Sequence, residues 1–178
     1  VAFAAKAERK GTLRFNETAV SMAKDSVFNA ASVVRLLTGK EISDYDLHVN
    51  VVGGGKIDGP SAGLAITLAL ISAIDNIPLR QDVAVTGEVS LQGKVKPVGG
   101  IQEKIYGAKQ AQVKRVLVPV ENEREIPKGL KDIEVMPVSC VEDALALIST
   151  AEKRRPATSL ETNHPLWSSE HDGYRLTS

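Results

Sequence analysis

The chain has 178 residues, of which 43% are hydrophobic, so it can bury one good core and leave residues for short appendages. Its 22 basic residues balance its 22 acidic residues, so the composition gives no strong signal for a nucleic-acid partner. The longest apolar run, residues 64–74, is interrupted by Thr67 and Ser72 and is too short to cross a bilayer. Cys140 is the single cysteine, which agrees with a reducing compartment, and we expect a cytoplasmic protein. Val1 in place of an initiator methionine indicates a fragment or a processed product.

The first half of the chain predicts two strands and two helices. Residues 2–14 predict an edge strand, and residues 18–38 predict an amphipathic helix that Gly39 ends. Residues 46–52 alternate between apolar and polar side chains, as a half-buried strand does. Residues 61–74 carry no charge, so they predict a helix that is buried on nearly every side.

The second half predicts further short strands and helices, and then a change in composition. The predicted elements are a strand and turn at 83–91, a strand at 93–98, a helix at 101–111, strands at 116–118 and 133–135, a charged loop or helical turn at 121–127, and a helix at 141–148. This alternation predicts an α+β domain, or a layered α/β domain, over residues 1–149. Residues 150–178 are rich in Ser, Thr, Pro and charge, which predicts a flexible tail or one with a short docked part.

The last predicted helix begins with a capping-box pattern, Ser139-Cys140-Val141-Glu142. In that setting the Cys140 thiol is expected to pack against the domain rather than to act as a nucleophile. The histidines show no metal-ligand spacing, so no metal site is predicted.

A serine stands where a glycine-rich loop enters the buried helix. Asp58 suits an N-cap, and Pro60 suits the first helical position because its φ is already helical. Ser61 is then expected in the first turn, where free N–H groups and the helix dipole favour a developing negative oxygen. A cap followed by a tight turn, with no chemistry, is the alternative interpretation.

A lysine on a later predicted helix supplies a possible base for this serine. At roughly 100° per residue, Lys104 falls within the apolar stripe that Ile105 and Ala108 help to form, whereas Lys109 falls outside it. A lysine in apolar surroundings loses hydration of its charged form, and its neutral amine can then accept a proton. The alternative is a side chain that reaches from the edge of the stripe to water.

These strings together resemble the proteolytic domain of Lon, an ATP-dependent protease with a Ser-Lys dyad. The resemblance rests on residues 58–63, on Thr86-Gly87-Glu88 and on residues 99–104, and it extends from about Leu13 to Ile148. It implies the Lon proteolytic fold, which is related to the ribosomal S5 domain 2-like class.

By this resemblance Ser61 is the nucleophile, Lys104 is its base, and Thr86 helps to position the lysine amine. Other residues that match family positions near the site are expected to have supporting roles: Asp58, Gly59, Ala62 and Glu88. The family often carries two histidines on the preceding strand, whereas here His48 is followed by Asn50 in the second place. A histidine base is therefore not expected, and His48 is interpreted as a hydrogen-bonded strand residue.

The resemblance also implies substrates and partners. The expected reaction is hydrolysis of peptide bonds in unfolded or damaged proteins, with no metal or organic cofactor for the chemistry. The chain lacks a G-x-x-x-x-G-K-[ST] phosphate loop, so ATP and Mg are expected only on a separate AAA+ motor domain. A hexameric ring is expected by resemblance.

Two alternatives from other classes remain open. Glycine-rich loops before helices also bind phosphate, so a small-molecule phosphotransferase of related fold is one alternative. A ring-forming scaffold without a working dyad is the other, although both Ser61 and Lys104 are present.

Overall fold

The computed structural model describes residues 1–15, 23–50 and 60–150. Strands and helices follow one another in the order β1 (Ala2–Lys6), β2 (Leu13–Phe15), α1 (Ala23–Thr38), β3 (Tyr45–Val49), α2 (Gly63–Asp75), β4 (Val83–Val85), β5 (Glu88–Val89), β6 (Val95–Lys96), α3 (Ile101–Gln110), β7 (Arg115–Pro119), β8 (Glu134–Val138) and α4 (Val141–Ile148). Short 3-10 turns occur at Ile42–Asp44, Pro60–Ala62 and Val120–Glu125. This mixture confirms the predicted α+β class.

The first sheet places β3 between two edge strands. β1 pairs with β3 in the antiparallel sense, and β2 pairs with its other side in the parallel sense. The predicted single strand over residues 2–14 is therefore wrong. The charged residues Glu8, Arg9 and Lys10 and then Gly11 break the alternation, and the chain turns there to reach the opposite edge of β3.

Helix α2 occupies the main core, as its uncharged sequence predicts. Its buried residues include Leu64, Leu68 and Ile71, which are at most 1% exposed. Burial of each such side chain contributes roughly 1.5–3 kcal/mol relative to exposure. The helix packs against α1, α4 and strands of two sheets. It ends at Asn76, whose left-handed φ of 53° terminates the helical path.

The start of α2 differs from the prediction. Pro60–Ala62 forms a 3-10 turn, and the α-helix begins only at Gly63. Ser61 therefore lies just before the α-helix rather than in its first turn. The predicted N-cap Asp58 lies outside the described residues.

Helix α1 ends as predicted, and its start lies outside the described residues. Gly39 has φ 69°, and its N–H donates a hydrogen bond to the Arg35 carbonyl at 3.0 Å. This is the left-handed termination that glycine adopts without steric cost.

The second sheet is parallel, in the order β4-β7-β8, and α3 packs on β7. A separate apolar cluster fills the space between them and contains Ile101, Ile105, Val116, Val118 and Ile133. Within the strand and turn predicted over 83–91, β4 ends at Val85, and at Thr86-Gly87 the chain leaves this sheet and enters the β5–β6 hairpin. The predicted charged segment at 121–127 forms a 3-10 turn over Val120–Glu125.

The predicted capping box at the start of α4 is wrong. Cys140 occupies the N-cap position, without a side-chain capping bond. The Ser139 hydroxyl instead donates to Asp143 Oδ2 at 2.8 Å. The half-buried Cys140 agrees with a packed thiol, and desolvation raises its pKa, which disfavours the nucleophilic thiolate.

The end of the described chain remains attached to the domain. The Thr150 N–H donates to the Pro78 carbonyl at 2.9 Å. The predicted tail over 150–178 lies outside the described residues from 151 onward. None of the helices in the described ranges has the length and apolarity that a membrane crossing requires.

Candidate active site

Ser61 is held by the chain segment that links β4 to β5. Its carbonyl accepts a hydrogen bond from the Gly87 N–H at 3.0 Å and a longer one from the Thr86 hydroxyl at 3.4 Å. The Leu64 N–H donates in turn to the Gly87 carbonyl at 2.9 Å. Thr86 is only 6% exposed. Hydrogen bonds therefore run both ways between the start of α2 and the Thr86-Gly87 segment and hold the two together.

Glycines allow this close approach. A Cβ atom on Gly87 would lie 2.6 Å from Cγ1 of Val95, and one on Gly63 would lie 3.2 Å from the Val89 nitrogen. Larger residues at either position would push the two segments apart. The glycines in these strings therefore set the position of Ser61 through backbone packing.

Lys104 lies in the first turn of α3, after two exposed glycines. The side-chain amine of Lys104 donates a hydrogen bond of 2.6 Å to the Gly99 carbonyl, and the backbone N–H of Lys104 donates to the Gly100 carbonyl at 3.0 Å. Gly100 is the N-cap residue and has a left-handed φ of 70°. Among the described residues, no hydrogen bond joins the Lys104 amine to the Ser61 hydroxyl.

Ser61, Thr86 and Lys104 line one cavity of about 660 Å³. It lies between the start of α2, the parallel sheet and α3. These three residues carry the polar side chains among the twelve described residues that line it. The others are small and apolar: Ala62, Ala65, Ala84, Val85, Gly107, Ala108, Ala111, Val113 and Val116. Few polar groups in an apolar cleft are typical of a site that binds and orients a ligand.

A family model described as the Lon protease (S16) C-terminal proteolytic domain matches residues 3–150. The chain belongs to this family. It is 45% identical over 138 residues to Lon protease 2 of Bacillus subtilis, covering 76% of this chain and 25% of that protein. It is 35% identical over 158 residues to the archaeal Lon protease of Pyrococcus abyssi, covering 85% of this chain and 16% of that protein.

The Lon protease of Geobacter metallireducens is 40% identical over 149 residues, which cover 78% of this chain and 18% of that protein. The chain thus spans about a quarter or less of the length of these relatives. The match confirms the predicted Lon family, the fold class and a serine endopeptidase domain.

The Lon domain brings together some of the residues that the sequence singled out. Ser61, Ala62, Thr86 and Lys104 share the cavity. Glu88 is half-buried in β5 and is not among the described residues that line the cavity. Asp58 and Gly59 lie outside the described residues, and the roles predicted for all these residues remain predictions.

His48 lies on the exposed face of β3, as the alternation predicts. Its strand neighbours Leu47 and Val49 are 0% and 5% exposed. His48 is not among the described residues that line the cavity.

Two parts of the Lon site carry no clear sequence signal. The apolar walls from β4 and β7, such as Ala84 and Val116, come from two strands that are distant in sequence but paired in the parallel sheet. The Gly99 carbonyl that receives the Lys104 amine is a backbone group, which no side-chain pattern reveals.

Proposed function

We propose that this Lon domain hydrolyses peptide bonds with Ser61 as nucleophile and Lys104 as general base. The observation that carries the proposal is the cavity itself, because Ser61, Thr86 and Lys104 carry its polar side chains among the described lining residues. Lys104 supplies the basic side chain of the three. A serine requires such a neighbour because its hydroxyl is a weak nucleophile when it is not activated.

The hydrogen bonds around the site suit a directed base. A neutral lysine amine has two N–H donors and one lone pair. One N–H remains on the Gly99 carbonyl, its partner at 2.6 Å, and we assign the second to Thr86 Oγ1, which lines the same cavity. Thr86 can accept that bond while its own O–H donates to the Ser61 carbonyl. The lone pair is then left for the Ser61 hydroxyl proton.

The reaction then proceeds by acyl transfer. Ser61 Oγ attacks the carbonyl carbon as Lys104 takes the hydroxyl proton, and the resulting ammonium gives that proton to the departing amine. A water molecule then attacks the ester carbon as Lys104 accepts one of its protons, and the ammonium returns that proton to Ser61 Oγ as the acid is released.

Backbone N–H groups beside Ser61 would stabilise the oxyanion, each worth roughly 3–4 kcal/mol by analogy with a studied protease. The Leu64 N–H is already bonded to the Gly87 carbonyl, so it is not free for this role.

The rest of the cavity indicates what part of a substrate it accepts. Its small apolar walls suit an apolar side chain next to the scissile bond, and such side chains become accessible when a protein unfolds. We therefore propose unfolded or damaged proteins as substrates.

For the full-length protein we propose a cytoplasmic hexamer whose AAA+ motor domain, outside this chain, uses ATP and Mg to deliver substrates. The names of the relatives, all Lon proteases, support a proteolytic role, and the hexamer and motor rest on the family resemblance. The chemistry itself is proposed to need no metal or organic cofactor.

The test uses the 178-residue chain with casein and with a peptide boronate. We expect casein cleavage and a covalent boronate on Ser61, both measured by mass spectrometry, and we expect Ser61→Ala to lose both. The loss follows because alanine has no oxygen to attack the carbonyl or to bind boron.

Ser90→Ala is the matched control, because Ser90 lies in the β5–β6 turn and is not among the described cavity-lining residues. Casein cleavage that persists in Ser61→Ala, with the variant correctly folded, would rule out Ser61 as the nucleophile. Boronate attachment without cleavage would support a formed site that lacks substrate delivery.

A further inference from the structure

Asn122 is a buried polar residue that the proposed reaction does not use directly. Asn122 is 2% exposed and lies in the 3-10 turn Val120–Glu125 that follows β7. Burying an amide costs free energy unless its donors and acceptor find partners, so the contacts of Asn122 indicate what this side chain holds in place.

The Asn122 side chain forms hydrogen bonds with both backbone groups of Val98. Its Oδ1 accepts the Val98 N–H at 3.0 Å, and its Nδ2 donates to the Val98 carbonyl at 3.0 Å. Nδ2 also donates to Glu125 Oε1 at 2.6 Å. Because a carboxylate can only accept, Glu125 fixes which end of the amide faces which way. The side chain thus pairs with Val98 as a neighbouring strand would.

Val98 immediately precedes the carbonyl that binds the lysine amine. The Gly99 carbonyl accepts the Lys104 amine at 2.6 Å, and α3 begins at Ile101. Gly99 and Gly100 are both exposed, and their Cβ positions meet little or nothing. Packing therefore does little to hold the two glycines, and Asn122 fixes the peptide directly before them.

We propose that Asn122 is a positioning residue for the catalytic base. By holding Val98 it fixes the Gly99 carbonyl, and this carbonyl orients the Lys104 amine towards the cavity. The proposal rests on the proposed function for its catalytic consequence, but the effect of Asn122 on the lysine amine is measurable without any hydrolysis.

The first measurement is trace acetylation of the chain with acetic anhydride, read by mass spectrometry as the ratio of Lys104 to Lys109 modification. Lys109 is exposed on the same helix and serves as an internal reference. In Asn122→Ala the ratio should rise about fivefold, the factor that corresponds to loss of one hydrogen bond of typical strength.

The second measurement is the steady-state kinetics of peptide hydrolysis. Asn122→Ala should lower kcat on the order of 10- to 100-fold, because a misplaced base acts only in the chemical step, and should change KM by less than about twofold. Val118→Ala is the matched control, since Val118 is 0% exposed in the apolar cluster beside α3 and makes none of the Asn122 side-chain hydrogen bonds. It should lower the melting temperature while leaving the labelling ratio and kcat unchanged.

If Asn122→Ala does not fold, two milder substitutions at Glu125 test the same inference. Glu125 is exposed, so Glu125→Ala removes only the acceptor that orients the Asn122 amide. This variant should raise the labelling ratio by a smaller factor, whereas Glu125→Gln, which keeps an oxygen acceptor, should stay near the unaltered protein.

An unchanged labelling ratio in folded Asn122→Ala, or in Glu125→Ala if the former does not fold, would overturn the inference. So would a rise of the same size in Val118→Ala. If the unaltered chain shows neither Ser61-dependent hydrolysis nor boronate attachment to Ser61, the proposed function fails, and the labelling ratio still decides whether Asn122 positions the amine.

Discussion

The half of the site that carries Ser61 is held mainly by backbone hydrogen bonds, whereas the half that carries Lys104 lies beside a backbone segment that a side chain holds. Ser61 and Leu64 exchange hydrogen bonds with the backbone of Gly87, beside the main core around α2. The Lys104 amine donates to the carbonyl of the exposed Gly99, and the Asn122 amide bonds to Val98, the residue directly before it.

This difference assigns different properties to the two halves. A backbone network in a packed core changes only when the fold changes, so the nucleophile should be present whenever the domain is folded. A segment with few buried contacts opens at lower free energy than the core does. The base should therefore be the adjustable half of the site, and it offers a point where assembly or substrate could change activity.

The largest expected effect tests whether the lysine half supplies a base or only a charge. Lys104→Arg keeps a positive charge, but a guanidinium cannot give up its proton near neutral pH. We expect peptide hydrolysis to fall by about 10²- to 10⁴-fold, the usual contribution of a general base. Lys109→Arg, on the exposed face of the same helix, is the control for the substitution itself. Retention of a tenth or more of the activity in Lys104→Arg would contradict the assigned role.

A pair of glycine variants tests the structural contrast. Gly87→Ala places a Cβ 2.6 Å from Val95 Cγ1, so it should lower the free energy of unfolding by about 1–3 kcal/mol, as overpacking does. Gly99→Ala meets no described atom within 4 Å and should be neutral, or stabilising by up to about 1 kcal/mol. Urea denaturation measures both. Equal destabilisation by the two variants would refute the idea that backbone packing is tight on one side only.

A smaller effect should come from the cavity wall that α3 contributes. Ala111 lines the cavity yet is exposed, so Ala111→Phe adds a ring over the cavity with little risk to folding. We expect kcat/KM for peptides with a large apolar residue at the scissile bond to fall about tenfold, and for peptides with alanine there to fall less. Gln110→Phe, at the last residue of α3 and directly before the C-cap residue Ala111, is the matched control because Gln110 is not among the described lining residues. Equal losses for both peptides would argue against a side-chain pocket at this wall.

The sequence predicts best the features that local composition determines. The uncharged run after Ser61 indicates a buried helix whatever surrounds it, and Gly39 is the residue that a left-handed helix end requires. The strings around Ser61 and Lys104 were sufficient to predict the family, which the match over residues 3–150 confirms.

Features that depend on distant partners were missed for a physical reason. Residues 83–91 predict a strand and a turn, but the contacts that hold the turn come from distant residues. The Thr86 N–H bonds to the Leu117 carbonyl, and the Gly87 N–H bonds to the Ser61 carbonyl. Asn122 lies in a charged segment without periodicity, so the sequence gives no sign that its side chain bonds to Val98.

The smallest predicted effect concerns Ser139, which bonds to the β5–β6 hairpin on the Ser61 side of the site. The hydrogen bond from the Ser139 hydroxyl is the largest factor that lowers the pKa of Asp143, and the Ser139 carbonyl also accepts the Val95 N–H of the hairpin. A carboxyl whose pKa is lowered on folding stabilises the fold above its ordinary pKa, and this contribution is lost as the pH falls through the lowered value.

Ser139→Ala should therefore reduce the melting temperature slightly at pH 7, and the difference from the unaltered protein should shrink below about pH 4. Because Ser139 and Asp143 are exposed, the change should be small, and kcat should be unaffected since backbone bonds hold Ser61. A loss of activity in Ser139→Ala at pH 7 would mean that side chains also control the nucleophile, and the contrast between the two halves would then fail.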